Sequence, residues 1–305
     1  MKIVLPVAGN GMRLRPYTED LPKCLLPVAG KPIIDWIVED SQDLKPEETI
    51  FITGYKAEQM DEYLTRKPEW GKTRTVRQEN PQGLGEAISL ALPFVDDGEP
   101  LLIILGDTLF EADLSILKRE KENVLYTFRV EDPSRFGVAV TNAQGKIERL
   151  EEKPQKFVSD EAIVGIYFIR DVRALKDALA EIMKNDRRTK GEFQLTDALQ
   201  MMIEAGCKFH TAPVQKWLDC GLVETLLDTN AYVISRNDNS SEFSAHSVKG
   251  PCHIGKNVTL INSRIGPNVA VGDNCVLKNC KIKNAILWDG VRISGGTIEN
   301  TIVHR

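Results

Sequence analysis

Ile3, Val4, Leu5, Val7 and Ala8 lie together near the start of the chain, the pattern of a short strand buried on both faces, and Gly9 and Gly11 end it. Pro32 suits the first position of a helix, and Ile33, Ile34, Ile37 and Val38 give that helix one apolar face as far as about Leu44. Short apolar or β-branched runs at 49–53, 74–78 and 101–105 predict strands, and the stretches 56–64 and 83–92 predict helices between them. This alternation implies a Rossmann-like, mainly parallel mixed sheet covered on both faces. Ligands then sit beyond the carboxyl ends of the strands, where the glycine loop, Gln78 and Asp107 fall.

From residue 124 the pattern grows richer in strands, at 124–130, 137–141, 147–150 and 162–169, before helices return at 171–183, 194–205 and 223–234. Residues 236–246, RNDNSSEFSAH, are polar and aperiodic. The expected organisation is a catalytic domain at 1–236, a linker at 237–247 and a repeat domain at 248–305. In the last segment branched residues recur every five or six positions, at Ile254, Leu260, Ile265, Val271, Leu277, Ile282, Leu287, Ile293, Ile298 and Val303. This resembles the hexapeptide left-handed parallel β-helix, in which each rung buries its branched side chain, and ten positions make roughly three coils. An antiparallel sheet with turn residues is the alternative, but the Asn and Gly punctuation keeps step with the repeat.

At 305 residues either domain can bury a core of its own. A net charge of −5 argues against nucleic acid or a membrane surface as partner. The first 31 residues reverse that balance, with Lys2, Arg13, Arg15, Lys23 and Lys31 against Glu19 and Asp20, so an anionic ligand is met locally. No segment approaches the roughly 18 apolar residues of a membrane span, and the first run is too short for a secretory signal, so a cytoplasmic protein is expected. Six cysteines form no C-x-x-C pair and have no histidine at zinc spacing, which reads as reduced, mostly buried thiols. None of the four histidines lies in the first 200 residues, which disfavours a histidine base.

The glycine loop fails two familiar tests. A dinucleotide fingerprint needs a third glycine opening a helix, but Met12, Arg13 and Leu14 follow Gly11, then Pro16. A Walker loop needs Gly-Lys before Ser or Thr, and Gly30-Lys31-Pro32 lacks both spacing and hydroxyl. What remains is G-x-G-x-R-L-x-P-x-T followed by Pro22-Lys23, which resembles the signature of the sugar-1-phosphate nucleotidyltransferases. The commonest family form has a second glycine and a Thr or Ser hydroxyl where this chain has Asn10 and Met12.

The resemblance implies the nucleotide-diphospho-sugar transferase type of fold and a reaction in which a sugar 1-phosphate oxygen attacks the α-phosphorus of a nucleoside triphosphate. The nucleophile is already an anion, so positioning and charge relief are the catalytic needs and no histidine base is required. By resemblance Arg13 and Lys23 grip the triphosphate and the departing pyrophosphate, Asp107 in LGDTLF and Asp219 in WLDCG hold Mg²⁺, Lys153 in LEEKP binds the sugar phosphate, and Glu152 binds sugar hydroxyls. Read without the family, Asp107 caps a turn, Asp219 caps the helix that begins near Val223, and Glu151 to Pro154 is a charged strand exit. Gly137 and Gly165 would let the sugar approach backbone, while Tyr167 and Val164 suit either the pocket or the core.

Ala8, Gly9, Gly11, Gln78 and Gly83 are the candidate nucleotide contacts. Gln78 offers both a donor and an acceptor to the imide edge of uracil or thymine, and Gly83 would bring backbone to the base. The resemblance is strongest to glucose-1-phosphate thymidylyltransferases carrying an added repeat domain, with dTTP or UTP and a hexose 1-phosphate as substrates. Uridylyl and guanylyl transfer (the latter to mannose 1-phosphate), a non-catalytic nucleotide-sugar sensor, and a bifunctional enzyme with an acyltransferase β-helix are the competing readings. The repeat domain is expected to make the protein a homo-oligomer.

Overall fold

The computed structural model describes residues 1–244 and 246–304. The chain forms two compact units that do not follow chain order: one comprises Met1–Asn10 and Ile37–Trp217, the other Gly11–Trp36 and Leu218 onward.

The first unit is built on a nine-stranded mixed sheet. Lys2–Pro6 lies between Leu101–Ile104 and Glu48–Thr53, with Thr73–Arg77 outside the latter, and all these pairs are parallel. Val4 stands beside Ile50 on one side and Ile103 on the other, all of them buried. Beyond Leu101–Ile104 the pairing becomes antiparallel through Glu161–Ile169 to Asn123–Arg129 and Gly137–Thr141, and Ile147–Glu152 closes that edge. The parallel character expected from the alternating pattern therefore holds for the first half of the sheet. In the second half the four strands between 123 and 169 that follow one another without a crossover helix pair antiparallel, whereas Phe209–Pro213, which comes after two helices, lies parallel to Asn123–Arg129.

One face of the sheet is covered by Leu84–Ala91, Val172–Lys184 and Leu195–Glu204. Ile88, Leu175, Leu179, Ala198 and Leu199 from these helices pack with Val4, Ile50 and Ile103 in one core cluster. Burying each such large side chain contributes about 1.5–3 kcal/mol. On the other face Phe51 stacks on Trp70 with ring centroids 6.0 Å apart. Five strands ahead of the repeat were not legible in the pattern, Pro27–Val28, Lys31–Pro32, Thr108–Glu111, Phe209–Pro213 and Lys216–Asp219. Each is short and mixes polar residues or proline with its apolar ones, which dilutes the period-2 signal.

In the second unit, the C-terminal strands form a curled parallel sheet, consistent with a β-helix. Cys252 stands beside Val269, Val269 beside Ala285 and Ala285 beside Thr301, so the chain returns to the same position once per coil. Ile254, Ile265, Val271, Leu277, Ile282 and Leu287 point into its apolar interior, and Leu260, Ile293, Ile298 and Val303 pack against it half-buried. The corners are asparagines with left-handed backbone, among them Asn257, Asn262, Asn274, Asn279, Asn284 and Asn300. Their amides bond from coil to coil, Asn257 to Asn274 at 3.2 Å and Asn284 to Asn300 at 2.8 Å. Part of the polar stretch expected as a linker is built into this sheet. The Asn239 side chain accepts from the Ile254 amide and donates to its carbonyl, both at 2.9 Å, and Asp238 accepts from the Cys252 amide.

Helix Val223–Arg236 belongs to the same unit, and its Asn230 accepts from the Ala29 amide at 2.9 Å, tying the segment after the glycine loop to this helix. All six cysteines are free thiols and five are buried, Cys207 being half-exposed. Among the described residues no helix is long and apolar enough to cross a membrane.

Candidate active site

Three neighbouring parallel strands leave the sheet at the same end, and each exit carries glycine: Gly9 after Lys2–Pro6, Gly54 after Glu48–Thr53, and Gly106 after Leu101–Ile104. The exits are packed against one another. The Tyr55 amide donates to the Ala8 carbonyl at 3.1 Å, and a Cβ at Gly54 would lie 2.8 Å from that of Ala8. A Cβ at Gly106 would lie 2.5 Å from Val7 Cγ1. Around Gly9, by contrast, nothing comes within 4 Å of where a Cβ would be.

That open space belongs to a cleft of about 500 Å³ lined by Ala8, Gly9, Asn10, Gly54, Tyr55, Arg77, Gln78, Glu79 and Pro81. Three of the nucleotide contacts expected from sequence, Ala8, Gly9 and Gln78, thus share one cavity at the carboxyl edge of the parallel strands. Gln78 is 7% exposed. Its backbone amide donates to the Thr53 carbonyl at 2.8 Å, and its side-chain Nε2 donates to Glu86 Oε2 at 2.5 Å. Gly83 precedes helix Leu84–Ala91 and accepts from the Ala87 amide at 3.0 Å. The loop before it is stitched to residue 193, whose amide donates to the Gln82 carbonyl and whose carbonyl accepts from the Gly85 amide, both at 2.8 Å.

A second cluster forms on the antiparallel half of the unit. Glu152, at the end of Ile147–Glu152, accepts from Thr196 Oγ1 at 2.8 Å and pairs with Lys153 Nζ at 3.4 Å. A Cβ at Gly137 would lie 3.0 Å from Glu152 Oε2 and 3.2 Å from Thr196 Oγ1, so the bare glycine gives the carboxylate its room. Lys153 takes a left-handed backbone (φ 47°) and its amide donates to the Phe136 carbonyl at 3.0 Å, turning the chain sharply as the strand ends. Gly165 accepts from the Leu105 amide at 2.9 Å, which places Glu161–Ile169 beside the exit that carries Asp107. Tyr167 and Val164 are both buried. The Tyr167 phenol is pushed well above the usual tyrosine range, first by burial and then by the negative charges of Glu152 and Asp107. Of the sugar-phosphate candidates, Gly137, Glu152 and Lys153 therefore lie together, while Gly165 packs on Leu105 two strands away.

The second unit holds the other basic candidates. Gly11 has φ 59° and is followed by a 3₁₀ turn, Met12–Leu14, and a four-residue helix, Tyr17–Asp20. Thr18 Oγ1 donates to the Gly11 carbonyl at 3.0 Å, and a Cβ at Gly11 would come 3.3 Å from Lys23 Cβ, so the segment folds back and brings Lys23 beside the glycine. Arg13 and Met12 are exposed. Asp219 Oδ1 accepts from the Gly221 amide at 2.9 Å, and Thr225 Oγ1 lies 3.4 Å from its Oδ2. The Asp219 carboxylate is thus held in place just ahead of helix Val223–Arg236 by local bonds that leave Oδ2 weakly engaged.

Sequence reasoning missed Gly54, Tyr55, Glu86 and Thr196. For Gly54 a signal existed, a glycine directly after a predicted parallel strand, as at Gly9 and Gly106. Glu86 and Thr196 act on partners that only the fold brings close, so no local pattern marks them.

The first unit thus carries a strand-end cleft with a buried amide in its wall and, on the opposite edge of the sheet, a carboxylate–lysine pair. The nucleotidyl transferase family model matches residues 2–236, and the chain belongs to that family. It is 28% identical to a glucose-1-phosphate thymidylyltransferase of Streptomyces griseus, over 100% of this chain and 92% of that protein. The low-salt glycan biosynthesis nucleotidyltransferase Agl11 of Haloferax volcanii is 30% identical, over 99% of this chain and 92% of the relative. A UDP-glucose pyrophosphorylase solved in complex with UDP-glucose superposes with a TM-score of 0.67 at 25% identity, covering 77% of this chain and 98% of its own.

Proposed function

We propose that this nucleotidyl transferase is a sugar-1-phosphate nucleotidyltransferase that joins the nucleotidyl group of dTTP or UTP to a hexose 1-phosphate, glucose 1-phosphate first among them, and releases pyrophosphate. The observation that carries the reading is the buried Gln78 in the wall of the strand-end cleft, together with the Glu152–Lys153–Thr196 cluster of the same unit. A buried amide in the wall suits the imide edge of uracil or thymine. A carboxylate and an ammonium side by side suit the hydroxyls and the phosphate of a sugar 1-phosphate.

The sugar phosphate oxygen attacks the α-phosphorus in line, a P–O bond forms, and the bond to the β-phosphate oxygen breaks as pyrophosphate leaves. Arg13 and Lys23 take up the charge of the β- and γ-phosphates, Arg13 through its planar fork and Lys23 as a point charge. Lys153 holds the attacking phosphate, and Glu152 fixes the sugar through its hydroxyls. Asp107 and Asp219 are the proposed Mg²⁺ ligands. Hard carboxylate oxygens, one of them weakly engaged at Asp219 Oδ2, fit an ion that draws its remaining ligands from water and phosphate. When bound, the ion supplies relief of charge between the phosphates.

The curled sheet is proposed to be a left-handed β-helix of hexapeptide type, and its role oligomerisation in a cytoplasmic enzyme. Support comes from the coil-to-coil asparagine bonds and from the half-buried Ile293 and Ile298 on its last strand. Phosphorus NMR of a mixture of protein, Mg²⁺, dTTP or UTP and glucose 1-phosphate tests the reaction. A diphosphate pair from a nucleotide sugar, appearing in step with pyrophosphate, is expected. An unchanged triphosphate spectrum with every hexose 1-phosphate would refute it.

A further inference from the structure

We infer that Glu86 is a positioning residue for base selection: it fixes the orientation of the Gln78 amide so that the carbonyl Oε1, the end away from Glu86, meets the base in the cleft. The inference rests on the nucleotide-binding reading of that cleft. A carboxylate accepts and does not donate, so the Gln78 atom 2.5 Å from Glu86 Oε2 is the amide nitrogen whichever way the side chain is drawn. One of the two N–H donors of that nitrogen is spent on Glu86, and the carbonyl is left as the acceptor end of the amide. In the proposed pose that carbonyl meets the base in the cleft that Gln78 lines.

The lock is itself fixed. Glu86 lies in the first turn of helix Leu84–Ala91, where a carboxylate is favoured by the helix dipole. The same oxygen, Oε2, also meets the Gln82 amide at 3.4 Å, and Gln82 is anchored twice more, by the Phe193 amide at 2.8 Å and by Arg188 Nη2 at 2.7 Å. Gln78 is pinned from the other side by the bond from its own amide to the Thr53 carbonyl. With little room in a wall only 7% exposed, rotation of the amide would place its carbonyl against the Glu86 carboxylate.

The chemical consequence is a polarity filter. Uracil and thymine carry N3–H, which donates to a carbonyl; cytosine carries a bare N3 lone pair at the same position and meets it with repulsion. A site built to satisfy a ring N–H rejects the base that lacks it far more strongly than a pocket rejects a methyl group, so uracil and thymine remain alike while cytosine is excluded.

The test compares the wild-type full-length protein with Glu86→Gln, whose amide can accept from or donate to Gln78 and so releases the lock. UMP and CMP affinities are measured by calorimetry, kcat/KM for UTP and CTP by pyrophosphate release, and folding by thermal melting. The wild type is expected to favour UMP by roughly 100-fold or more, and Glu86→Gln to reduce that ratio roughly tenfold with the melting temperature nearly unchanged. If Glu86→Gln does not fold, Glu86→Asp, one methylene shorter, gives the same comparison. A folded variant whose UMP-to-CMP ratio stays within about twofold of wild type would overturn the inference, as would a wild type that binds CMP as well as UMP. Turnover of UTP with an unmoved ratio would remove the role of Glu86 alone. A moved ratio without turnover of any triphosphate would keep that role and remove the transferase reading.

Discussion

The strand-end cleft and the curled sheet both depend on residues that most side chains cannot replace, and they spend them in opposite ways. In the curled sheet the special positions are asparagines with positive φ, and their amides bond to the asparagine one coil on, at 2.8 to 3.4 Å. The polar groups are consumed by the fold. At the cleft, Gly54 and Gly106 let strand exits touch, while Gly9 faces open space and Gln78 keeps its side chain in the wall. A repeated residue that finds its own copy as partner is architecture. A glycine with room around it at the end of a parallel strand leaves space that a ligand can take.

If that contrast is right, substitutions at the cleft act on turnover and those in the curled sheet on stability. The largest effect is expected from Asp107→Asn, a fall in turnover of roughly 10³-fold with the melting temperature within about 2 °C, read by pyrophosphate release and calorimetry. Near-normal Mg²⁺-dependent rates would remove Asp107 from the chemistry. Leu277→Ala, in the apolar interior of the coil, is expected to cost about 2–5 kcal/mol in denaturant unfolding while both KM values hold. Lys153→Ala should raise KM for the hexose 1-phosphate by roughly 10- to 100-fold and leave that for the triphosphate alone. A shared rise in both would mean that Lys153 supports the fold of the site rather than the sugar phosphate. Asn284→Ala, at φ 44°, should cost about 1–2 kcal/mol and no activity.

The smallest effect concerns pH. Burial holds the His253 imidazole below its ordinary value of 6.5, against the opposing pull of Asp273. Its folded pKa is thus depressed, so the unfolded chain takes the proton first. The stability at stake is intact above about pH 6.5 and is lost as pH falls through the folded value. Melting curves between pH 7.5 and 5.5 should therefore show a shallower decline for His253→Gln than for the wild type, and an equal decline would assign the acid sensitivity elsewhere.

Much of this contrast could be read from the chain, and the part that could not has a physical reason. Ile3 to Ala8 stood out because a strand buried on both faces has no polar residue to break it. The interior of the coil stood out because Val271, Leu277 and Ile282 recur in step with their asparagine corners. Gln78 was legible from its chemistry and place at a strand end, whereas Glu86 was not, since its meaning lies in one 2.5 Å contact made after folding. Thr196 is silent for the same reason, as its hydroxyl reaches Glu152 across 44 residues of sequence. Thr108–Glu111 and Phe209–Pro213 escaped because pairing to neighbours, not their own composition, makes them strands.

The central claim is that the cleft selects a uracil or thymine nucleotide for transfer to a hexose 1-phosphate. It is met most directly by pyrophosphate release from the purified protein with Mg²⁺, crossing dTTP, UTP, CTP, ATP and GTP with glucose, galactose, mannose and N-acetylglucosamine 1-phosphates. Release confined to dTTP and UTP with a hexose 1-phosphate is the predicted result. Release centred on ATP, CTP or GTP, or none from a folded protein with any pair, would contradict it.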